Sequence, residues 1–399
     1  MTINPQYAPE FSLAINGQPL PSAVRSAVTS VRYEDGLNAS DRVEVGLANP
    51  DLRWLQTHIR GLGFRPFPTA VRVGPIGGLS AVPEGTFDID NKLALSLGYA
   101  PDPLEEVFKG EVTGLQVSFP SGGMPTMTLV AHDYLNRLNQ GSYARGFGFL
   151  PDAIVAAILG AENLLIPLID PVIVAGSTAL AVLDAIFKGT GVKQGGKDKG
   201  ESDFELLKRI AERYDADFWV EGDTLYLARF IPKEYSPRLT LTWGESLIDF
   251  SPRMSTVGQV LGVSAKFTLR EIPLSFLVAV FWDFDRESLG IKVVPGEAVS
   301  FTKSLLGDVL TIIDQPITNP ADIAGAALMI TRMLRQKINN RVTGSGSAVG
   351  NAKIRAGAMI RLEGLGVDFS GDYRVTSASH TLDSGGWRTS FQVQKEILP

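Results

Sequence analysis

Apolar and polar residues alternate with a period of two through most of the first third of the chain. Arg42–Leu47 (RVEVGL), KLALSLGY from Lys92, VFKGEVTGLQVSF from Val107 and TMTLVAHD from Thr126 each place every second side chain on one face, as half-buried strands do. FSLAING followed by QPLP reads as a strand and a turn, and Val28, Val31 and Tyr33 mark another strand. Asp35-Gly36 reads as a turn, as does Ser121–Pro125 (SGGMP). The period then lengthens. Asp152–Leu159 and Thr178–Phe187 read as helices, and Gly189–Gly200 (GTGVKQGGKDKG) as a Gly/Lys linker. In Ser202–Ala216 (SDFELLKRIAERYDA), Ser202 and Glu205 form a capping-box pattern, and Phe204, Leu207, Ile210, Ala211 and Tyr214 make one apolar face. DFWVEGDTLYLARF follows as a hairpin turning at Glu221-Gly222-Asp223. The last section is strand-like again in LTLTW, GVSAKFTL and LSFLVAVFWDF. Asn319 and Pro320 open a helix over 320–339 with an Ile323, Ala327, Ile330, Leu334, Ile338 stripe. The chain closes on AMIRLEGL, GDYRVTSASHTL and WRTSFQVQK. The expected fold is mainly β with an α+β middle: a β section over 1–140, a helical and helix–hairpin section over 141–235, and a second β section over 236–399.

Two stretches break the pattern. Residues 60–83 are rich in Gly and Pro and carry Phe64, Phe67, Val71, Val73 and Ile76 with three arginines. They read as a long surface loop, of the kind that binds a neighbour as often as it merely connects. Leu164–Phe187 is long and apolar enough to span a bilayer, but Asp170 lies between Pro167 and Pro171, and Asp184 follows. A carboxylate at mid-bilayer costs about 2.5–3.5 kcal/mol, so a buried segment or apolar interface is the favoured reading and no stable membrane insertion is expected.

Composition narrows the function. The 399 residues are 44% hydrophobic and 20% charged, which suits a globular chain of two or three domains. The formal net charge of −6 gives no general affinity for nucleic acid. With no cysteine, thiol catalysis, Fe–S clusters and thiolate zinc sites are excluded. The opening residues MTINPQYAPE lack the basic and apolar regions of a secretory signal, so none is expected.

No constellation of catalytic residues is complete. Gly191–Asp198 nearly spells a phosphate-binding loop, but Asp198 stands where a hydroxyl must hold Mg²⁺, and a helix precedes it where a strand is needed. Gly344–Ser347 (GSGS) does not fit the nucleophile elbow, and it reads as a connection. His58, His132 and His380 are the only histidines. His132-Asp133 and His380 could join a triad only through the fold, and without an elbow the structural reading is favoured. Glu105, Glu106 and Glu111 are acids that no spacing singles out as a glycosidase pair. The expectation is that there are no catalytic, cofactor-binding or metal residues, and so no cofactor.

Three blocks carry a family resemblance: TFDIDNKLALSLGY…VFKGEVTGLQVSFPSGGMPTMTLVAHDYLNRL, the helix–hairpin SDFELLKRIAERYDADFWVEGDTLYLAR, and the ending KIRAGAMIRLEGLGVDFSGDYRVTSASHTLDSGGWRTSFQVQK. Together, and in this order, they resemble the phage late-control gene D protein family, which is similar to the hub portion of VgrG proteins. The resemblance implies two tube-like β-barrel domains flanking a small helix-plus-hairpin domain, assembled as a trimeric ring. Such a homotrimer would adapt the sixfold inner tube to the threefold spike in the baseplate of a contractile phage tail or tail-like injection particle. Its partners would be the inner tube protein, other baseplate proteins and a spike on a separate polypeptide, since the chain stops at Pro399. The competing readings are a tail-associated cell-wall hydrolase and a carbohydrate-binding β protein.

Overall fold

The computed structural model describes residues 8–48, 86–140, 145–147, 150–186, 196–197, 201–230, 236–254, 262–268, 275–283, 288–295, 310–314 and 342–395. The long loop over 60–83, His58 and the helix expected over 320–339 lie outside the described residues.

The first section forms β1 (Ala8–Ile15), β2 (Gln18–Pro19), a one-turn helix α1 (Ser22–Arg25), β3 (Val28–Gly36), β4 (Arg42–Ala48), β5 (Lys92–Ala100), β6 (Glu105–Ser118) and β7 (Thr126–Asp133). The period of two sets which side chains turn inward: Val43, Val45 and Leu47 of β4 and Leu93, Leu95 and Leu97 of β5 are all buried. A 3₁₀ turn, Tyr134–Asn139, then leads into the middle section.

That section comprises β8 (Arg145–Gly146), α2 (Asp152–Glu162), β9 (Ile166–Ile169), α3 (Pro171–Ile186), β10 (Gly196–Lys197), α4 (Asp203–Arg213), β11 (Asp217–Glu221) and β12 (Thr224–Ala228). The capping box is present: the Ser202 hydroxyl accepts from the Glu205 amide at 3.1 Å, and the Ser202 amide donates to the Glu205 carboxylate at 2.7 Å. Leu206, Leu207, Ile210 and Ala211 are buried, a wider face than the sequence spacing indicates. Phe204 meets Phe218 of the hairpin edge to face at 5.3 Å. β9 extends the hairpin to three strands by pairing parallel to β12.

Leu164–Phe187 is therefore not one span. It breaks into β9 and α3 at Asp170, whose carboxylate accepts from the Val172 amide at 2.8 Å, with Pro171 at the first helical position. Among the described residues no helix is long and apolar enough to cross a membrane.

The last section holds β13 (Leu239–Thr242), β14 (Leu247–Met254), β15 (Gly262–Thr268), β16 (Ser275–Asp283), β17 (Ser288–Pro295), β18 (Leu310–Asp314), β19 (Val342–Val349), β20 (Met359–Glu363), a one-turn helix α5 (Gly366–Phe369), β21 (Gly371–Asp383) and β22 (Gly386–Gln394). β15–β18 form their own four-stranded sheet in the order β17-β16-β15-β18, so the apolar run SFLVAVF of β16 belongs to it and not to the sheet around β14 and β19.

The remaining strands of the first and last sections join into one sheet of thirteen strands. Its main path runs β14-β19-β22-β21-β3-β4-β7-β6-β5-β1-β2. The junction is the antiparallel pair β21–β3, from Ser377 opposite Gly36 to Leu382 opposite Val31. Three apolar cores sit against this frame, one per section. The first core is completed by Trp387 from the last section, whose ring lies 5.1 Å from that of Tyr99. A Cβ added at Gly350 would fall inside the Trp387 indole, so only glycine lets the two approach.

Candidate functional site

The residues singled out by sequence are scattered by the fold. His132 Nδ1 lies 2.6 Å from the Thr113 hydroxyl, at the half-exposed face of β7. Burial, then the nearby Arg42 guanidinium, holds its pKa below the usual histidine value. His380 is buried between the Ile354 carbonyl (3.0 Å) and the Thr389 hydroxyl (2.9 Å), and burial pushes its pKa down to about 4. Asp133 meets Ser40, and Ser347 meets Asp249. No serine–histidine–aspartate chain is formed by these contacts. Glu111 is bound through both its oxygens by Arg137, and Glu106 pairs with Lys109 at 2.8 Å. Lys197 belongs to the short strand β10, opposite Arg145. Among the described residues no three His, Asp or Glu side chains could hold a metal ion.

What the fold does bring together is a polar seam where the three sections meet. Asn38, in the turn after β3, adopts a left-handed backbone (φ 56°). Its amide donates to Asp217 at 2.7 Å, and its carbonyl accepts from the Phe218 backbone N–H at 2.9 Å, tying the first section to β11. Arg374 of β21 binds the same Asp217 carboxylate and lies 3.9 Å over the Phe230 ring. Asp217 thus links all three sections. Beside it lies a cavity of about 110 Å³ lined by Leu37, Asp41, Trp219, Phe230, Arg238 and Arg355, among others.

Deeper in the seam, Tyr33 donates to Asp41 at 2.8 Å and accepts from Arg355 at 3.2 Å. Asp35 accepts from the Ala356 amide at 3.0 Å and lies 3.5 Å from Arg355 Nε. Asp35 and Gly36 are therefore the end of β3 and not a turn, because hydrogen bonds from distant residues hold the carboxylate inside. Asp133 accepts from the Ser40 hydroxyl at 2.5 Å, and its amide donates to the Asp41 carbonyl at 3.1 Å. Burial is the largest cause of raised pKa values at all three acids: Asp133 rises to about 7, Asp41 rises well above the carboxylate range, and Asp35 rises despite Arg355.

The surface carries apolar positions as well. On the outer face of the β11–β12–β9 sheet, Trp219 and Tyr226 stack at 5.1 Å, and Leu168 stands beside Tyr226 in the ladder. Leu168 is 52% exposed, Ile166 65% and Leu164 78%. The Ile166 and Asp170 amides donate to the carbonyls of Asp223 and Leu227, so Pro167 faces outward from β9. With no N–H to offer, Pro167 blocks addition of another strand there. Phe119 and Met124 protrude from the β6–β7 connection, and Trp243 and Val367 are exposed in the last section.

No protein-family model matches the sequence, and no curated protein matches it. Solved structures do. The 43 kDa tail protein of prophage MuSo2 from Shewanella oneidensis superposes with a TM-score of 0.59 over 98% of this chain and 99% of that one, at 13% identity. The fold is that of a phage tail protein. A tail protein from Neisseria meningitidis gives a TM-score of 0.56 at 10% identity over 98% of each chain. An Escherichia coli component of the type VI secretion system, described as structurally similar to the T4 bacteriophage tail proteins gp27 and gp5, gives 0.53 at 11% identity over 97% of this chain and 80% of that one. The tail-protein frame takes in all three sections of the chain.

Proposed function

We propose that this chain is a structural hub protein of the baseplate of a contractile phage tail or a tail-like injection system. It acts as a homotrimer, joins the sixfold inner tube to a separate threefold spike, and has no catalytic role of its own. The observation that carries the reading is likeness to a tail protein over nearly the whole of both chains.

Two features support it. The sheet that runs from β14 to β2 draws on two separate sequence sections, which gives a ring component one continuous frame. The exposed Leu164, Ile166, Leu168, Phe119 and Trp243 give the surface apolar positions that an obligate assembly would cover. The late-control gene D resemblance agrees with the same reading. The protein would assemble in the cytoplasm and end in a virion tail or injection particle.

The test is co-expression with the tube and spike proteins, followed by particle imaging. A ring of this protein at the tube–spike junction is expected. Peptidoglycan clearing by the purified chain, lost on replacing His132, His380 or Glu111, would overturn it in favour of a hydrolase.

A further inference from the structure

The middle section has two apolar surfaces that the described residues leave uncovered. The first is a face of α3. Ile173, Ser177, Leu180 and Ala181 turn inward, while Val172, Val174, Ala175, Thr178, Ala179 and Val182 are exposed. The exposed positions recur at three- and four-residue steps, so they form one continuous stripe along the helix. Asp184 is the only charged residue of α3, and a helix apolar all round is normally a buried one. The second surface is the outer face of the β11–β12–β9 sheet. Phe218, Leu225 and Leu227 turn into the middle core, and alternation sends Trp219, Tyr226 and Leu168 the other way, where the register sets them side by side. Ile166 stands two residues along β9, and Leu164 carries the exposed alternation beyond the strand. Leu164 has a left-handed backbone (φ 61°), at a helix end where glycine or asparagine is usual, and it is 78% exposed. A leucine so placed is strained and wet unless something covers it. Pro167 closes the free edge of β9, so this surface is left to contacts made face-on.

We propose that these surfaces are the two halves of one contact between copies of the chain: α3 of one copy lies across the Trp219–Tyr226–Leu168 row of the next. The inference rests on the homotrimer proposed above and names where its subunits meet. Both surfaces turn away from the core they share, so one chain cannot fold one onto the other, whereas successive copies can. Unlike surfaces that meet head to tail generate a ring, which threefold closure requires. Neither surface holds a charged side chain, so each suits the other without a counter-charge. The areas also match. From the exposed fractions, each surface offers roughly 400 Å² of apolar area, and with the usual polar share the contact reaches roughly 1,300 Å², within the range of stable interfaces.

The chain has no cysteine, so single cysteines report contacts cleanly. Full-length Ala179→Cys and Leu168→Cys chains, co-expressed and treated with a short bis-maleimide, should give covalent dimers, while either chain alone should give none. Ala179→Cys linking to itself would set α3 against α3 and overturn the contact. So would the absence of mixed dimers in a protein that is trimeric by light scattering, and the hub reading would then stand without it. A parent chain that stays monomeric with tube and spike proteins present would remove both. Charge exchange gives a second readout. Ala179→Glu and Leu168→Lys should each weaken trimer formation at least about tenfold with helix content unchanged, and the double variant should restore it, because the Glu of each copy then meets the Lys of the next. Single variants as trimeric as the parent would overturn the contact.

Discussion

At the scale of single residues, the fold rests on a few positions that permit no close substitute. Gly350 is one, since any side chain there meets the Trp387 indole that closes the first core. Gly350→Ala should destabilise the protein by about 1–3 kcal/mol, as other overpacking changes do, with a lower thermal midpoint. His380 is another. It is buried and neutral in the folded protein and titrates near 4. An unfolded histidine takes its proton near pH 6.5, so this residue's contribution is intact above that value and is lost as pH falls toward 4. The loss amounts to at most about 3 kcal/mol. Paired melts near pH 7 and pH 4.5 should show His380→Gln losing less stability in acid than the parent, since glutamine can still reach the Ile354 carbonyl but cannot ionise. An equal acid loss in both would show that His380 is not the group responsible. The sequence favoured a structural role for His380, but the partners of neither position were legible, because both depend on neighbours brought from far along the chain.

At the scale of elements, much of the structure could be read directly. β4, β5 and β22 follow the alternation, and the capping box at Ser202 marked the start of α4 to the residue. Leu207→Ala or Ile210→Ala should cost about 2–5 kcal/mol, because both side chains are fully inside the middle core. Ser202→Ala should cost about 0.5–2 kcal/mol through the lost cap. Chemical denaturation of the three variants checks the ranking, and a core variant as stable as the parent would mean that the buried face is misassigned. α3 was half legible. Its last turns read as helix, but Pro167, Asp170 and Pro171 looked like interruptions, whereas Asp170 caps the helix and also holds Arg229. Local punctuation and a helix start share the same residues, and only the register of β9 on β12 separates them.

At the scale of the whole molecule, the sequence gives three sections but not how they join. The β21–β3 pair that fuses the first and last sections links strands with no signal of one another in their patterns. The seam had a misleading signal, since Asp35-Gly36 has the composition of a turn yet ends a strand with its carboxylate buried. Asn38 shows what such seams are worth. Its amide makes two hydrogen bonds to β11, and Asn38→Ala should cost about 1–3 kcal/mol and loosen the middle section first, which proteolysis would detect as earlier cleavage there. The hub assignment itself is a statement about assembly, and native mass spectrometry of the full chain with its tube and spike proteins tests it most directly. The expected result is a species containing three copies of the 43.0 kDa chain that captures both partners. A chain that stays monomeric at micromolar concentration and binds neither would contradict it.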